Sequence, residues 1–200
     1  ETGLSSDPAM NWRLSALDKI AFISNSDSHS LERIGREANI FDTELSYRGI
    51  MDALKDAGQS VIASTRSNPG NTEDGLPRRE RLAMTGKNKF VATLEYFPEE
   101  GKYHIDGHRL CGTAWQPEQT RRARGICPIC KKPVTVGVLS RLEKLADRPE
   151  IKVGKIKMGE VIAKSAPGRV PFINLVTLDS IIGEALDLGV KTRGVKREYD

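Results

Sequence analysis

The chain has 200 residues, 38% of them hydrophobic, which is enough for one large domain or two small ones with a modest core. A formal net charge of +4 and a pI near 9.0 permit a phosphate-bearing partner without requiring one. No apolar run approaches the roughly 20 residues of a membrane span, and no basic leader with an apolar centre opens the chain. We therefore expect a cytoplasmic protein.

The first predicted elements are a helix, a strand and a second helix. The helix covers residues 7–18, because Asp7 followed by Pro8 is a favourable helix start. A short strand follows over residues 20–24, and a second helix over residues 46–57 ends at Gly58. This order predicts an α/β layer.

The remaining chain is divided by a segment with little apolar periodicity. Residues 66–89 are rich in Asn, Gly, Pro and charge, which predicts a flexible linker or an insertion. Residues 90–97, FVATLEYF, have the composition of a strand. Helices are predicted over residues 138–147 and 177–188, and the segment between them, 151–170, is basic and dotted with Gly.

The three cysteines favour metal binding over a disulfide framework. An odd count with one Cys-x-x-Cys pair is not the pattern of a small secreted protein. Zinc takes four tetrahedral nitrogen or sulfur ligands, so we predict a structural zinc site formed by His108, Cys111, Cys127 and Cys130. His104 is the alternative fourth ligand, and a thioredoxin-like redox pair is the alternative for the last two cysteines.

Basic residues are concentrated around these cysteines. A nucleic-acid backbone could lie against them, although a solvated basic surface is the simpler interpretation. The candidate nucleic-acid-binding residues are Arg121, Arg122, Arg124, Lys131 and Lys132.

A second candidate metal site lies in the segment ISNSDSHS, residues 23–30. In an extended backbone, residues i and i+2 point to the same side, so Asp27 and His29 would converge on one point. That geometry suits a divalent metal ion. The pair also follows the predicted strand, at the edge where α/β barrels place their catalytic residues.

Several segments together resemble the endonuclease Q group, which are PHP-domain phosphoesterases with an inserted zinc module and a helicase-like C-terminal region. The segments are ETGLSSDPAMNWRLSALD, ISNSDSHS, GREAN, EYFPEEGKYHIDGHRLCG and CPICKKPVTVGVLSRLEKLADRP. The resemblance implies the C-terminal part of a PHP-type (β/α) barrel over residues 1–65 and a linker over 66–89. It implies a zinc-ribbon-like module over 90–148 and a helical start of the helicase-like region over 149–200.

The resemblance also implies a function: a metal-dependent endonuclease of DNA repair that nicks DNA 5′ of deaminated bases such as uracil and hypoxanthine. The last metal-ligand motif of PHP domains is Asp-x-His, which maps onto Asp27 and His29 as ligands of Zn²⁺, Mg²⁺ or Mn²⁺. Glu1 is a further candidate catalytic residue. The family's earlier His-x-His ligands have no counterpart in this sequence, so we expect the chain to be an incomplete fragment, inactive alone.

Two other functions fit the same residues. PHP domains also act as small-molecule phosphomonoesterases, but the zinc module and its basic flank do not serve a small substrate. A non-catalytic zinc-bearing nucleic-acid-binding module is the other alternative, and it agrees with the missing ligands.

Overall fold

The computed structural model describes residues 1–66 and 88–199. Nearly all of the predicted linker, residues 66–89, lies outside this part. Five strands form the main sheet: β1 (Ala38–Asp42), β2 (Lys89–Glu95), β5 (Gly154–Met158), β6 (Val161–Ser165) and β7 (Phe172–Asn174). Their order across the sheet is β1-β2-β7-β6-β5. Strands β2 and β7 are parallel, and the other neighbouring pairs are antiparallel.

This sheet confirms a mixed α/β fold, and the described strands form an open sheet, not a closed barrel. The PHP-type barrel therefore stays a prediction. Strand β2 confirms the strand expected over residues 90–97, and it joins β1 to β7 within one sheet. The predicted segments 1–65, 90–148 and 149–200 thus all contribute strands to it.

The core lies where the first helix meets the sheet. Trp12 and Phe172 are almost fully buried, and their rings contact edge to face with centroids 5.7 Å apart. Ala166 completes this cluster, with Phe22 and Ile151 packed against it. Aromatic pairs of this geometry contribute about 0.5–1.5 kcal/mol beyond the area they bury. The cluster fixes the segment after Trp12 against the sheet.

The first predicted helix is shorter than expected. Helix α1 covers Pro8–Asn11, with Asp7 as its N-cap accepting the Met10 N–H at 2.8 Å. A separate 3₁₀ turn follows at Ser15–Leu17, because Leu14 between them is extended. The helix start is thus confirmed and the end at residue 18 is wrong.

The predicted strand over residues 20–24 is also wrong. This segment is extended, but among residues 1–66 and 88–199 it forms no strand ladder, and only the Ile23 carbonyl accepts a hydrogen bond from a distant backbone N–H, that of Thr2 at 3.0 Å. The Asn39 side chain replaces that ladder: its Oδ1 accepts the Ser24 N–H at 2.9 Å, and its Nδ2 donates to the Ser24 carbonyl at 2.7 Å. The Ser24 hydroxyl donates to the Leu94 carbonyl on β2 at 2.8 Å. Side chains therefore hold the segment beside the sheet.

Helix α2 runs Tyr47–Arg66 and passes through Gly58, where the sequence predicted its end. At this position the helix lies close to another part of the chain: a Cβ at Gly58 would lie 3.1 Å from the Lys19 carbonyl oxygen. Glycine at this position allows the helix to approach the chain before the extended segment, and it does not act as a C-cap. No helix in the described residues has both the length and the apolar composition needed to cross a membrane.

A small module lies between β2 and β5. It contains the two-stranded sheet of β3 (Asp106–His108) and β4 (Thr113–Trp115), then helix α3 (Pro117–Arg122) and helix α4 (Val138–Leu145). Helix α4 confirms the helix predicted over residues 138–147. We call residues 106–145 the cysteine module.

The C-terminal segment, residues 149–200, was expected to be helical, and this is wrong for its first half, where β5, β6 and β7 complete the main sheet. The basic, Gly-dotted segment forms the antiparallel hairpin of β5 and β6. Helix α5 (Leu178–Ala185) confirms the last predicted helix, with Thr177 at its N-cap, and a further helix, α6, follows over Arg193–Tyr199.

Candidate functional site

The predicted zinc ligands converge in the cysteine module. His108 ends β3, and Cys111 ends the 3₁₀ turn that follows, while Cys127 and Cys130 lie in the loop between α3 and α4. One ligand atom from each of these residues lies within 4.8 Å of the other three. The His108 Nδ1 and the Cys130 Sγ are 3.5 Å apart.

The backbone around the ligands explains how two distant segments come together. The Lys131 N–H donates to the Cys127 carbonyl at 3.0 Å, and the Cys127 N–H donates to the Lys132 carbonyl at 2.9 Å. The turn that results requires a left-handed φ of 60° at Lys131. On the other side, a Cβ at Gly107 would lie 2.5 Å from the Thr113 carbonyl oxygen. The β3–β4 hairpin is therefore closed only because residue 107 is glycine.

The thiols interact strongly with one another. A hydrogen bond with the Thr113 hydroxyl at 3.4 Å, followed by backbone N–H groups of the Cys130 turn, lowers the pKa of Cys127 to about 6. Burial first, and then the neighbouring Cys130 and Cys127 sulfurs, raise the pKa of Cys111 to about 11. One thiolate therefore forms readily, while a second and third would repel it unless a cation lay between them.

This donor set fits zinc. One imidazole nitrogen and three cysteine sulfurs are a common ligand set of closed, four-coordinate zinc sites. The cluster of four ligand atoms within 4.8 Å is of the size that such a site requires. The structure thus contains a His and three Cys that could bind a metal ion, consistent with a structural zinc site.

His104 is not part of this cluster. The residue is 8% exposed, and its Nδ1 is 3.0 Å from the Ser5 carbonyl oxygen. His104 therefore fastens the chain just before the cysteine module to the N-terminal segment. The structure favours His108 over this alternative ligand. The redox alternative for Cys127 and Cys130 is less favoured, because both are held in the four-residue cluster.

Asp27 and His29 lie together on an exposed loop. Their side chains are 71% and 81% exposed, and the His29 Nδ1 is 3.9 Å from the Asp27 Oδ1. The geometry differs from the extended one expected, because Asp27 has a left-handed φ of 44°. The loop turns at Asp27, and the His29 Nδ1 is directed to the Asp27 backbone carbonyl at 2.9 Å.

Three further residues hold this loop. Asn39 bonds the Ser24 backbone as described above, and the Arg36 Nε donates to the Ser26 carbonyl at 2.8 Å. Glu1 is reached through Asn25, whose Nδ2 donates to the Glu1 Oε2 at 2.9 Å. In the part of the chain that the structure describes, Glu1 makes no hydrogen bond or ion pair with Asp27 or His29.

Two buried carboxylates near this loop were not predicted. Glu95 is fully buried and accepts hydrogen bonds from the Thr2 hydroxyl at 2.9 Å and the Thr93 hydroxyl at 2.5 Å. Burial raises its pKa. The burial of Glu95 has one signal in the sequence: in the strand FVATLEYF, this acidic residue lies within an otherwise mostly apolar run.

Glu37 is the second buried carboxylate, and it is 3% exposed. Its Oε1 accepts the Tyr96 N–H at 3.3 Å, whereas its Oε2 is buried without a hydrogen-bond partner among the described residues. Burial first, and then the nearby charge of Glu95, raise the pKa of Glu37 to about 7, although the hydrogen bond from the Tyr96 N–H and, more weakly, the charge of Arg36 lower it. The motif GREAN contains this residue, but nothing in its spacing indicates burial.

The five predicted basic residues divide into two groups. Arg121 pairs with Glu143 at 3.0 Å, and Arg122 pairs with Glu118 at 2.5 Å. Arg124, Lys131 and Lys132 are exposed, and no ion pair is formed by them within residues 1–66 and 88–199. In the described residues, only the second group is without an intramolecular ion pair.

Comparison with known proteins gives no matching family model. The chain is 28% identical over 202 residues to the uncharacterized protein MJ0043 of Methanocaldococcus jannaschii, a match that covers all of this chain and 21% of that protein. The lesion-specific endonuclease PfuEndoQ of Pyrococcus furiosus is similar in structure, with a TM-score of 0.62, 25% identity and coverage of 97% of this chain and 39% of that one.

An endonuclease Q complex with a 27-mer duplex substrate that has an abasic lesion at the active site is also similar. The TM-score is 0.66 at 25% identity, and the match covers 98% of this chain and 40% of that one. The chain thus spans about two-fifths of the length of these two solved endonucleases and about a fifth of the length of MJ0043. In fold and sequence it is similar to endonuclease Q over nearly its whole length.

Proposed function

We propose that this chain is part of a metal-dependent DNA endonuclease that nicks duplex DNA 5′ of deaminated bases, including uracil and hypoxanthine. The observation that carries the proposal is the likeness, over 98% of the chain, to an endonuclease Q bound to a lesion-containing duplex. The cluster of His108 and three cysteines and the unpaired cations beside it agree with a DNA-binding role.

In this proposal Asp27 and His29 are ligands of catalytic divalent metal ions, Zn²⁺, Mg²⁺ or Mn²⁺. A carbonyl oxygen can only accept a hydrogen bond, so the His29 Nδ1 at 2.9 Å from the Asp27 carbonyl carries the proton. The Nε2 lone pair of His29 is then available for a metal, and the ring is held in one orientation. A bound divalent ion supplies activation of water and neutralisation of charge on the leaving oxygen.

The chain's other residues near the loop keep it in position. Arg36 fixes the Ser26 carbonyl, and Asn39 fixes Ser24, so the turn at Asp27 is supported from both sides of the extended segment. Glu1 contacts Asn25 and is assigned to the same site. Two protein ligands do not complete the coordination of a divalent ion. We therefore assign the remaining donors to residues beyond these 200.

The proposed organisation follows the resemblance. Residues 1–65 would contribute to the PHP domain, 66–89 would be a linker or insertion, and 90–148 would carry the zinc. Residues 149–200 would begin a helicase-like region, and the protein would act in the cytoplasm. The main sheet contains strands from three of these segments, so the module with its own separate sheet is confined to residues 106–145.

Asp27→Asn in the complete protein tests the proposed function. We expect nicking of a uracil- or hypoxanthine-containing duplex to fall by a factor of about 10² or more, because a metal ligand is lost while the loop is kept. Asp187→Asn is the matched control, since Asp187 is also an exposed aspartate with left-handed φ, at 54°, and lies outside the site. It should leave nicking unchanged.

The assay measures cleavage of 5′-labelled duplex with and without the lesion. The same assay with His29→Ala tests the second proposed metal ligand. Near-normal turnover by both site variants would overturn the ligand assignment. A complete protein that cleaves neither lesion duplex, but hydrolyses a small phosphomonoester, would overturn the endonuclease proposal.

A further inference from the structure

Two large apolar side chains stand exposed beside the four-ligand cluster. Leu110 lies between His108 and Cys111 and is 94% exposed, while Ile129 lies between Cys127 and Cys130 and is 67% exposed. Because the ligand atoms of all four flanking residues lie within 4.8 Å of one another, both apolar residues are directly beside the same point. We call Leu110 and Ile129 the knuckle tips.

Exposed cations without a carboxylate partner in the described residues flank the knuckle tips in the sequence. Arg109 precedes Leu110, and Lys131 and Lys132 follow Cys130, the residue after Ile129. All three are exposed, and no carboxylate pairs with them in the described part of the chain. Between His108 and Lys132 the single acidic residue is Glu118, and it already pairs with Arg122. The surface around the tips is therefore positive.

An exposed aromatic ring lies just before the cysteine module in the sequence. Tyr103 is 56% exposed, and the Lys102 Nζ lies 4.9 Å from its ring centroid. A hydrogen bond with Lys102 first, then the charge of Lys102 and, more weakly, that of Arg109, lower the pKa of Tyr103. An exposed ring and apolar tips among unpaired cations are typical of a surface that contacts bases and phosphates together.

We propose that the knuckle tips form an apolar wedge that enters a groove of duplex DNA and separates stacked base pairs beside a lesion. Arg109, Arg124, Lys131 and Lys132 bind the flanking phosphates. This inference rests on the proposed function, and it assigns to the cysteine module a role in opening the duplex. Apolar side chains of this kind kink DNA when they insert between base steps, and unstacking costs least at a damaged base.

A bound metal ion would be needed to hold the two knuckle tips rigid. Leu110 lies in a short 3₁₀ turn and Ile129 in a loop, so neither is held by a long helix or a sheet. Each tip is flanked on both sides by residues of the metal cluster. A bound ion would fix the two tips relative to each other, and a wedge must be rigid to displace stacked bases.

The experiment measures binding and base stacking separately, with the zinc-loaded protein. The probe is a labelled duplex with an abasic analogue and a 2-aminopurine on the same strand next to it. Anisotropy gives Kd over a range of salt concentrations, and 2-aminopurine fluorescence reports unstacking. We expect Leu110→Ser with Ile129→Ser to abolish the fluorescence increase and to raise Kd about tenfold, with the salt dependence unchanged.

A variant that lacks two cations should change the salt dependence of binding but keep the unstacking of bases. Arg109→Gln with Lys131→Gln removes two phosphate contacts, so the slope of log Kd against log salt should fall by about 1.8. At saturating protein the fluorescence increase should remain. The matched control is Leu45→Ser with Leu178→Ser, which changes two exposed leucines outside the module, 101% and 57% exposed. It should change neither measurement.

Zinc content and thermal melts verify that each variant is folded. If the serine pair loses zinc, Leu110→Lys with Ile129→Lys replaces it. A wedge predicts lost unstacking in this variant despite the added charge, whereas a surface that binds only phosphates predicts tighter binding and an unchanged signal. Wild-type fluorescence and Kd in the tip variants would overturn the inference. Absence of duplex binding by the wild-type protein would also overturn the inference. The exposed knuckle tips would then indicate a contact surface for a protein partner.

These measurements do not depend on strand cleavage. A complete protein that binds and unstacks the lesion duplex but does not nick it would overturn the proposed function and leave the wedge intact. Nicking that survives in the tip variants, together with unchanged unstacking, would overturn the wedge alone.

Discussion

Arg148 and Asp18 form a two-point ion pair that joins the segment after the cysteine module to the turn before the Asp-x-His loop. The Arg148 Nη1 donates to the Asp18 Oδ1 at 2.8 Å, and its Nη2 donates to the Asp18 Oδ2. Arg169 adds a third hydrogen bond to the Asp18 Oδ1 at 2.9 Å. One carboxylate therefore holds together three segments that are far apart in the sequence.

Asp18→Asn should destabilise the chain by about 2 kcal/mol at pH 7, because it leaves Arg169, 7% exposed at its side chain, without its charge partner. Hydrogen bonds from Arg148 first, and then from Arg169, lower the pKa of Asp18 to about 2. A lowered pKa gives stability that is full above the ordinary value of 3.8 and is lost as the pH falls towards 2.

Urea unfolding between pH 7 and pH 2 measures this effect. The wild type should lose stability below about pH 4, and Asp18→Asn should lose less over that interval. Glu118→Gln is the control, because its pair with Arg122 is exposed on both sides and should change stability by less than about 0.5 kcal/mol. Equal effects of the two substitutions would contradict the prediction.

Glu37→Gln should stabilise the chain at pH 8 and have little effect at pH 4. The pKa of Glu37 is raised to about 7 from 4.5, so the folded state retains a proton that the unfolded state releases. The stability from that proton is full below about pH 4.5 and is lost as the pH rises to about 7. We expect a gain of about 1 kcal/mol at pH 8, because glutamine removes the buried charge.

Thermal melts at both pH values check the Glu37 prediction, with exposed Glu184→Gln as the control for the loss of one negative charge. The stability of Glu37→Gln should still depend on pH to some extent, because burial also raises the pKa of Glu95. A variant that is less stable than the wild type at pH 8 would show that the charged form of Glu37 has a partner.

The purified chain should hold about one zinc ion, as expected for a single four-ligand site. Cys127→Ser and His108→Ala should each lower the zinc content strongly and destabilise the cysteine module, because small zinc modules derive much of their folding free energy from the metal. His104→Ala should keep the zinc, since its Nδ1 faces the Ser5 carbonyl. Elemental analysis and melts with a chelator measure both effects, and zinc loss in His104→Ala alone would reverse the ligand assignment.

Asp106→Ala should destabilise the cysteine module by about 1–3 kcal/mol. Asp106 is fully buried, its Oδ1 accepts the Gly137 N–H at 2.6 Å and its Oδ2 accepts the Ser140 hydroxyl at 2.6 Å. These bonds join β3 to the start of α4. Asp106→Asn is the matched variant, and it should cost less, because the hydroxyl of Ser140 can reverse and accept from the new amide. Equal losses measured by urea unfolding would contradict this account.

Local patterns determined much of this protein without reference to the tertiary structure. The spacing of His108, Cys111, Cys127 and Cys130 was enough to predict their cluster, because two short turns can bring such pairs around one ion. The N-cap at Asp7 and helix α4 were also predicted, since caps and apolar periodicity act within a few residues of sequence.

The tertiary structure alone decided what depends on contacts between distant segments. The extended segment at Ser24 is not a strand, because the Asn39 side chain takes its backbone hydrogen bonds. Helix α2 continues through Gly58, and the missing Cβ there allows close packing against the Lys19 backbone. Glu37 and Glu95 are buried, because β1 and β2 pair and cover them with other segments. Sequence records only the order of residues along the chain, whereas hydrogen bonding, burial and pKa depend on which distant groups the fold brings together.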